Sequence, residues 1–216
     1  MRELIGFVSA GAFKCLEFSP EAGGDADRAM VYLHGAGERG DNVQALKAFG
    51  LPMLLGTAAA RVDCTVLCPL LEADRAWDSD RVAVIVAGVK ETFSRVALIG
   101  YSLGGEGVCN LLAHHGFVVD VAVAIAARGG ADVTAPQAGV VALTISGELD
   151  ALANTTEFLK GVRAKGGISH ELVLPGHCHF ISEIALEDPL CRALLEEHGF
   201  SISFARNEAF RGPGVL

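Results

Sequence analysis

The sequence predicts an α/β fold with a mainly parallel central sheet flanked by helices on both faces. Three observations predict it. Short apolar runs rich in Val and Ala recur along the chain, without the polar alternation of a half-exposed sheet. That is the composition of strands buried on both faces. Each run is followed by a turn or loop and, in most cases, by a helical pattern, and such βα alternation builds parallel sheets. Third, one strand-to-helix junction, Gly100-Tyr101-Ser102-Leu103-Gly104-Gly105, carries a Gly-x-Ser-x-Gly turn.

Two short strands open the chain, around Leu4–Val8 and Phe13–Phe18, with a turn near Gly11. Glu21 to Asp27 is a polar, Gly-rich loop. Ala29–Leu33 is a buried strand running into His34-Gly35-Ala36-Gly37-Glu38-Arg39-Gly40-Asp41. Val43 to Leu55 has helical spacing interrupted by Gly50 and Pro52, so a helix and then a short second one are expected. Val62–Pro69 is a strand stopped by proline, and Leu71 to Asp80 is a polar loop holding the single tryptophan, Trp77. Ser79 or Asp80 caps a helix through Val89. Arg95–Ile99 is the central strand, and Glu106–His115 the helix after the Ser102 turn. Val118–Ala126 is a strand, Arg128–Gly139 a short loop, and Val140–Ile145 a strand leading into Ser146-Gly147-Glu148-Leu149-Asp150. Asn154–Lys165 is a helix closed by Gly166-Gly167. Ile168–Leu174 is the last strand, Pro175–Phe180 a loop, and Ile181–Glu197 a helix. The tail, Ser201–Leu216, is expected either to dock loosely or to be disordered. No internal repeat or boundary appears, so residues 1–216 are expected to form a single domain.

Composition bounds the function. With 216 residues and 51% hydrophobic content the chain can bury a sizeable core. A net charge of −9 disfavours nucleic acid and anionic membrane surfaces as partners. No apolar run approaches the roughly 18 residues of a membrane span. The N-terminus lacks the apolar run and cleavage site of a signal peptide. Six cysteines are scattered without a C-x-x-C pair, which fits reduced thiols in a cytoplasmic protein. Cys64 and Cys68 share one face of a strand and read as small core residues.

The chemistry gathers where strands end. A sharp turn at Gly100–Gly104 lifts the Ser102 hydroxyl above the carboxyl edge of the sheet, with the Leu103 N–H at a helix N-terminus. The glycine-rich stretch after Leu33 leaves amides free to point at a ligand. Gly35 and Ala36 are the candidate second half of an oxyanion hole, with the His34 ring bracing the loop. A phosphate-binding loop is the alternative, but G-K-[ST] and G-x-G-x-x-G are both missing. Asp150 and His179 follow later strands, so both reach the same sheet edge as Ser102. Their order, Ser then Asp then His, suits a nucleophile, its acid and its base. Asp150 has an alternative as a helix N-cap, and Glu148 is the runner-up acid. His177 lies two residues from His179 and competes with it as the base. A metal held by His34, His177, His179 and Asp150 is disfavoured because no ligand spacing supports it. Trp77 either lines a substrate pocket or plugs its loop onto the core. Glu106, one turn into the helix, either prefers a cationic substrate or reaches solvent.

Together these residues resemble the α/β-hydrolase superfamily. Leu33 to Asp41, and Cys68-Pro69 followed by Trp77, are similar to the small lidless esterases: phospholipase/carboxylesterase, dienelactone-hydrolase-like and depolymerase-like proteins. The resemblance runs from about Met30 to His179. It implies Ser102 as nucleophile, Asp150 as acid and His179 as base, with no cofactor and no metal. Many carboxylesterases of the group carry Gln after the serine, where Leu103 stands here. The donor there is a backbone N–H, so the hole is unaffected. A lid domain would be inserted near 128–139, and that loop is too short to be one. The resemblance therefore implies an open site, admitting a bulky substrate, in a serine hydrolase of small-molecule carboxylic esters or thioesters. Rival readings are a peptidase with the same triad and a binding module without turnover.

Overall fold

The computed structural model describes residues 1–8, 13–20, 27–116 and 118–205. The chain opens with β1 (Arg2–Val8), β2 (Phe13–Ser19) and β3 (Arg28–Leu33). Two short 3-10 turns, Ala36–Glu38 and Val43–Ala48, lead into α1 (Gly50–Gly56). Next come β4 (Ala60–Val62), β5 (Thr65–Pro69), α2 (Ser79–Lys90), β6 (Arg95–Tyr101) and α3 (Leu103–His115). The rest is β7 (Val121–Ile125), β8 (Val141–Gly147), α4 (Thr156–Ala164), β9 (Ile168–Leu174), α5 (Ser182–Glu187), α6 (Pro189–Glu197) and β10 (Ile202–Phe204).

Among the described residues, eight strands form one sheet in the order β1-β2-β5-β3-β6-β7-β8-β9. From β5 to β9 every pairing is parallel, and only β1 and β2 join antiparallel. The mainly parallel sheet expected from the apolar runs is therefore present. Pleating divides each central strand between two cores. Ala29, Val31 and Leu33 join one cluster with Val82, Ile85, Val108 and Phe158, so α2, α3 and α4 cover that face. Met30 and Tyr32 join the other with Leu51, Leu54, Leu186 and Leu195, which brings α1, α5 and α6 to the opposite face.

Several expected elements divide. The strand expected over Val62–Pro69 is broken at Asp63-Cys64. Asp63 accepts from Arg28 at 3.2 Å and from the Ser201 N–H at 3.2 Å, which draws the chain out of the main sheet. β4 pairs instead with β10, so the start of the tail is an ordered strand. The helix expected over Ile181–Glu197 is two helices, because Pro189 cannot continue α5 and Asp188 caps α6 through the Leu190 N–H. Asp78, rather than Ser79 or Asp80, caps α2, accepting from the Arg81 N–H at 2.8 Å. The expected turn near Gly11 and residues 206–216 of the tail lie outside the described residues. Residues 126–140 link β7 to β8 without a helix or strand. Cys178 is exposed and the other five cysteines are buried.

Candidate active site

β6 ends at Tyr101 and α3 begins at Leu103, leaving Ser102 alone to reverse the chain. Its φ is 52°, a left-handed conformation that costs a serine roughly 1–3 kcal/mol. Two bonds hold it there. Its N–H donates to the Ile125 carbonyl of β7 at 2.8 Å, and its carbonyl accepts from the Glu106 N–H at 3.0 Å. A side chain at Gly100 would strike the Gly104 backbone, and one at Gly104 would strike the Leu33 and His34 backbone. Strand and helix approach this closely only because both positions lack a Cβ.

The Ser102 hydroxyl meets His179. His179 Nε2 lies 2.9 Å from Ser102 Oγ, and its Nδ1 lies 2.7 Å from Asp150 Oδ2. The Asp150 carboxylate can only accept, so Nδ1 carries the proton and Nε2 accepts from the hydroxyl. The Asp150 side chain is 1% exposed, and its Oδ1 accepts the Leu152 and Ala153 N–H groups at 2.9 and 3.3 Å. The aspartate therefore shapes its own turn with one oxygen and orients the imidazole with the other. It does not cap a helix, since α4 starts only at Thr156. Glu148 takes another part. It accepts the Gly176 N–H at 2.8 Å and so ties the acid turn to the histidine loop. His177 turns back on that loop, its Nδ1 donating to the Pro175 carbonyl at 2.8 Å. Such a chain of carboxylate, imidazole and hydroxyl can take the hydroxyl proton as the oxygen attacks an electrophile.

The loop after β3 faces this chain. The Leu71 N–H donates to His34 Nε2 at 3.0 Å, so Nδ1 carries the proton and donates to the Gly35 carbonyl at 2.7 Å. Burial pushes the His34 pKa down to about 4, so the ring is a neutral brace. Burial also raises the Glu38 carboxyl, while the Gly35 and Glu38 backbone N–H groups favour its charge. Gly35 is buried beside the Glu38 carboxylate, so its amide is the less accessible of the two candidates. The exposed Ala36, opening the 3-10 turn, remains the candidate donor of this loop beside Leu103 N–H at the start of α3.

The reading of Trp77 as a pocket residue is corrected. Trp77 is 1% exposed, its indole N–H donates to the His34 carbonyl at 3.0 Å, and its ring packs edge-on against the His34 imidazole. It plugs the loop onto the core and has no face left for substrate. Glu106 accepts from Arg128 at 2.9 Å. The Arg128 side of that pair is largely exposed, so the carboxylate is engaged at the surface without being buried.

Sequence reasoning missed Tyr101 and Phe49. The buried Tyr101 ring lies 5.7 Å from that of His179, and its hydroxyl donates to the His179 carbonyl at 3.3 Å. Burial, then the nearby Glu38 and Glu183 carboxylates, raise the phenol's pKa and keep it a donor. Phe49 stacks against Tyr101 at 5.0 Å. For Tyr101 the available signal was its place directly before the serine; Phe49 had none, because it arrives from another element.

Solved structures share this architecture. A thermostable esterase superposes with a TM-score of 0.67 at 16% identity over 91% of this chain. A phospholipase/carboxylesterase from Dyadobacter fermentans DSM 18053 does so with 0.57 at 13% identity, over 86% of this chain and 95% of its own. The chain has the α/β-hydrolase fold. It spans 62% of the length of the thermostable esterase. It also resembles part of Porphyromonas gingivalis dipeptidyl peptidase 4, with a TM-score of 0.65 and 14% identity over 90% of this chain and 35% of that one. No protein-family model matches the chain, and a search of curated proteins finds no match either. Among the described residues no helix is long and apolar enough to cross a membrane.

Proposed function

We propose that the protein is a serine hydrolase that cleaves a carboxylic ester or thioester through an acyl-serine intermediate. The hydrogen-bonded chain from Ser102 through His179 to Asp150 carries this reading. His179 takes the Ser102 proton as Oγ attacks the carbonyl carbon. The Leu103 N–H and the Ala36 N–H stabilise the oxyanion. Collapse expels the alcohol or thiol, which receives its proton from His179. Water, activated by the same imidazole, then releases the acid and restores the serine. Asp150 fixes the imidazole's tautomer and stabilises its charged form throughout. The hydrolase fold is consistent with this chemistry, although the fold alone hosts other reactions.

A peptidase is the second reading, favoured by the likeness to part of dipeptidyl peptidase 4. The link between β7 and β8 adds no element that would gate a peptide, so an ester is preferred.

The test is labelling by a fluorophosphonate probe. Wild type should label, and labelling should vanish in Ser102→Ala and His179→Ala but survive in His177→Ala. An unlabelled wild type removes the hydrolase reading. Loss with His177→Ala and survival with His179→Ala would move the base to His177. Turnover of peptide amides in preference to their matched esters would select the peptidase.

A further inference from the structure

The aromatic residues beside His179 bear on the substrate class, provided that the protein is the serine hydrolase proposed above. During acylation the Ser102 Oγ–acyl bond forms, the ester C–O bond breaks, and the proton taken from Ser102 passes from His179 Nε2 to the departing alcohol oxygen. That oxygen must come within hydrogen-bond reach of Nε2. Whatever it carries therefore lies against the neighbours of His179.

Those neighbours form a closed set of rings. Phe180 lies 5.9 Å from the imidazole at 82°. Phe49 lies 6.4 Å from Phe180 at 85°, and 5.0 Å from Tyr101. Tyr101, 5.7 Å from the imidazole, closes the set. Tyr101 is buried, and Phe49 is partly exposed. Phe180 is 72% exposed, the highest value among the exposed large hydrophobics of the described residues. Phe180 meets both Phe49 and His179 edge-to-face, while water reaches most of its ring. A large apolar side chain open to water next to the proton donor is suited to contact substrate.

We propose that Phe49 and Phe180 bind the alcohol portion of the substrate and select esters whose leaving alcohol carries an aromatic ring. The contact acts on acylation only. Once the alcohol has left, the acyl-serine holds nothing against these rings, and deacylation does not involve them.

The test compares three esters: ethyl acetate, benzyl acetate and ethyl phenylacetate. The second places a ring on the alcohol, the third on the acyl group. kcat/KM is measured for wild type, Phe49→Ala and Phe180→Ala. Ratios taken within one protein cancel any change in the folded fraction. The benzyl acetate to ethyl acetate ratio should fall about tenfold in each variant. The ethyl phenylacetate to ethyl acetate ratio should hold within about twofold. A fall in the phenylacetate ratio instead would put the rings on the acyl side and overturn the proposal, as would two unmoved ratios. Those results leave the hydrolase reading standing. A wild type inactive on all three esters, and unlabelled by fluorophosphonate, would remove both.

Discussion

Acid should weaken the fold through His34, by an amount the structure allows to be worked out. The ring is 2% exposed, and both nitrogens are engaged, Nε2 by the Leu71 N–H and Nδ1 by the Gly35 carbonyl. Protonation would set a second N–H against that of Leu71. Burial holds the folded-state pKa near 4, against an ordinary value of 6.5. A depressed folded pKa gives stability that is present above the unfolded pKa and is lost as pH falls toward the folded one. Between about pH 7.5 and about pH 4.5 the loss from this one group comes to roughly 2–3 kcal/mol. Glu38, whose Oε2 lies 4.0 Å from Nδ1, works in the opposite direction. Burial raises its pKa, so its protonation by acid favours the folded state. His34→Gln keeps Glu38 and removes the imidazole titration. Urea unfolding of both proteins at the two pH values checks the figure. Wild type should lose roughly 2–3 kcal/mol more than the variant. Equal losses, or a larger loss in the variant, would refute the neutral brace.

Three further substitutions have definite expectations. Asp150→Asn keeps the shape of the acid turn but presents the wrong group to His179 Nδ1. Steady-state ester kinetics should show kcat lower by about 10³–10⁴-fold with little change in KM. Trp77→Phe keeps most of the plug but leaves the buried His34 carbonyl without its indole donor. Urea unfolding should read a loss of about 1–3 kcal/mol. Tyr101→Phe removes the bond to the His179 carbonyl and leaves the ring packing. Its kcat should fall roughly three- to tenfold at unchanged KM, with unfolding free energy lower by about 1 kcal/mol or less.

How much the sequence reveals depends on how local the causes are. The turn at Ser102 was legible because Gly100, Gly104 and the flanking apolar strand and amphipathic helix all act within a few residues. Asp150 and His179 were legible because a parallel sheet gathers strand ends on one edge, whatever the intervening helices do. The choice of His179 over His177 was harder, since it depends on which way a loop turns. Glu148 and the Pro175 carbonyl hold the other end of that loop, and it is His179 that meets Ser102. Trp77 was left between two readings, and the surroundings of Gly35 went unread, for a similar reason. Their partners, the His34 carbonyl and Glu38, become neighbours through side-chain direction, which carries no periodic signal. The division at Asp188-Pro189 was readable in principle, because proline favours the first turn of a helix and not its interior. The break at Asp63 was not, since it depends on Arg28 and Ser201.

The central claim is an acyl group carried on Ser102. Its most direct test is to quench the protein in acid during turnover of p-nitrophenyl acetate and map the modified peptide by mass spectrometry. An acetyl group on Ser102 in wild type, and a longer-lived one where water cannot be activated, is the predicted result. Steady ester turnover with no acetyl on Ser102, or undiminished turnover by Ser102→Ala, would contradict it.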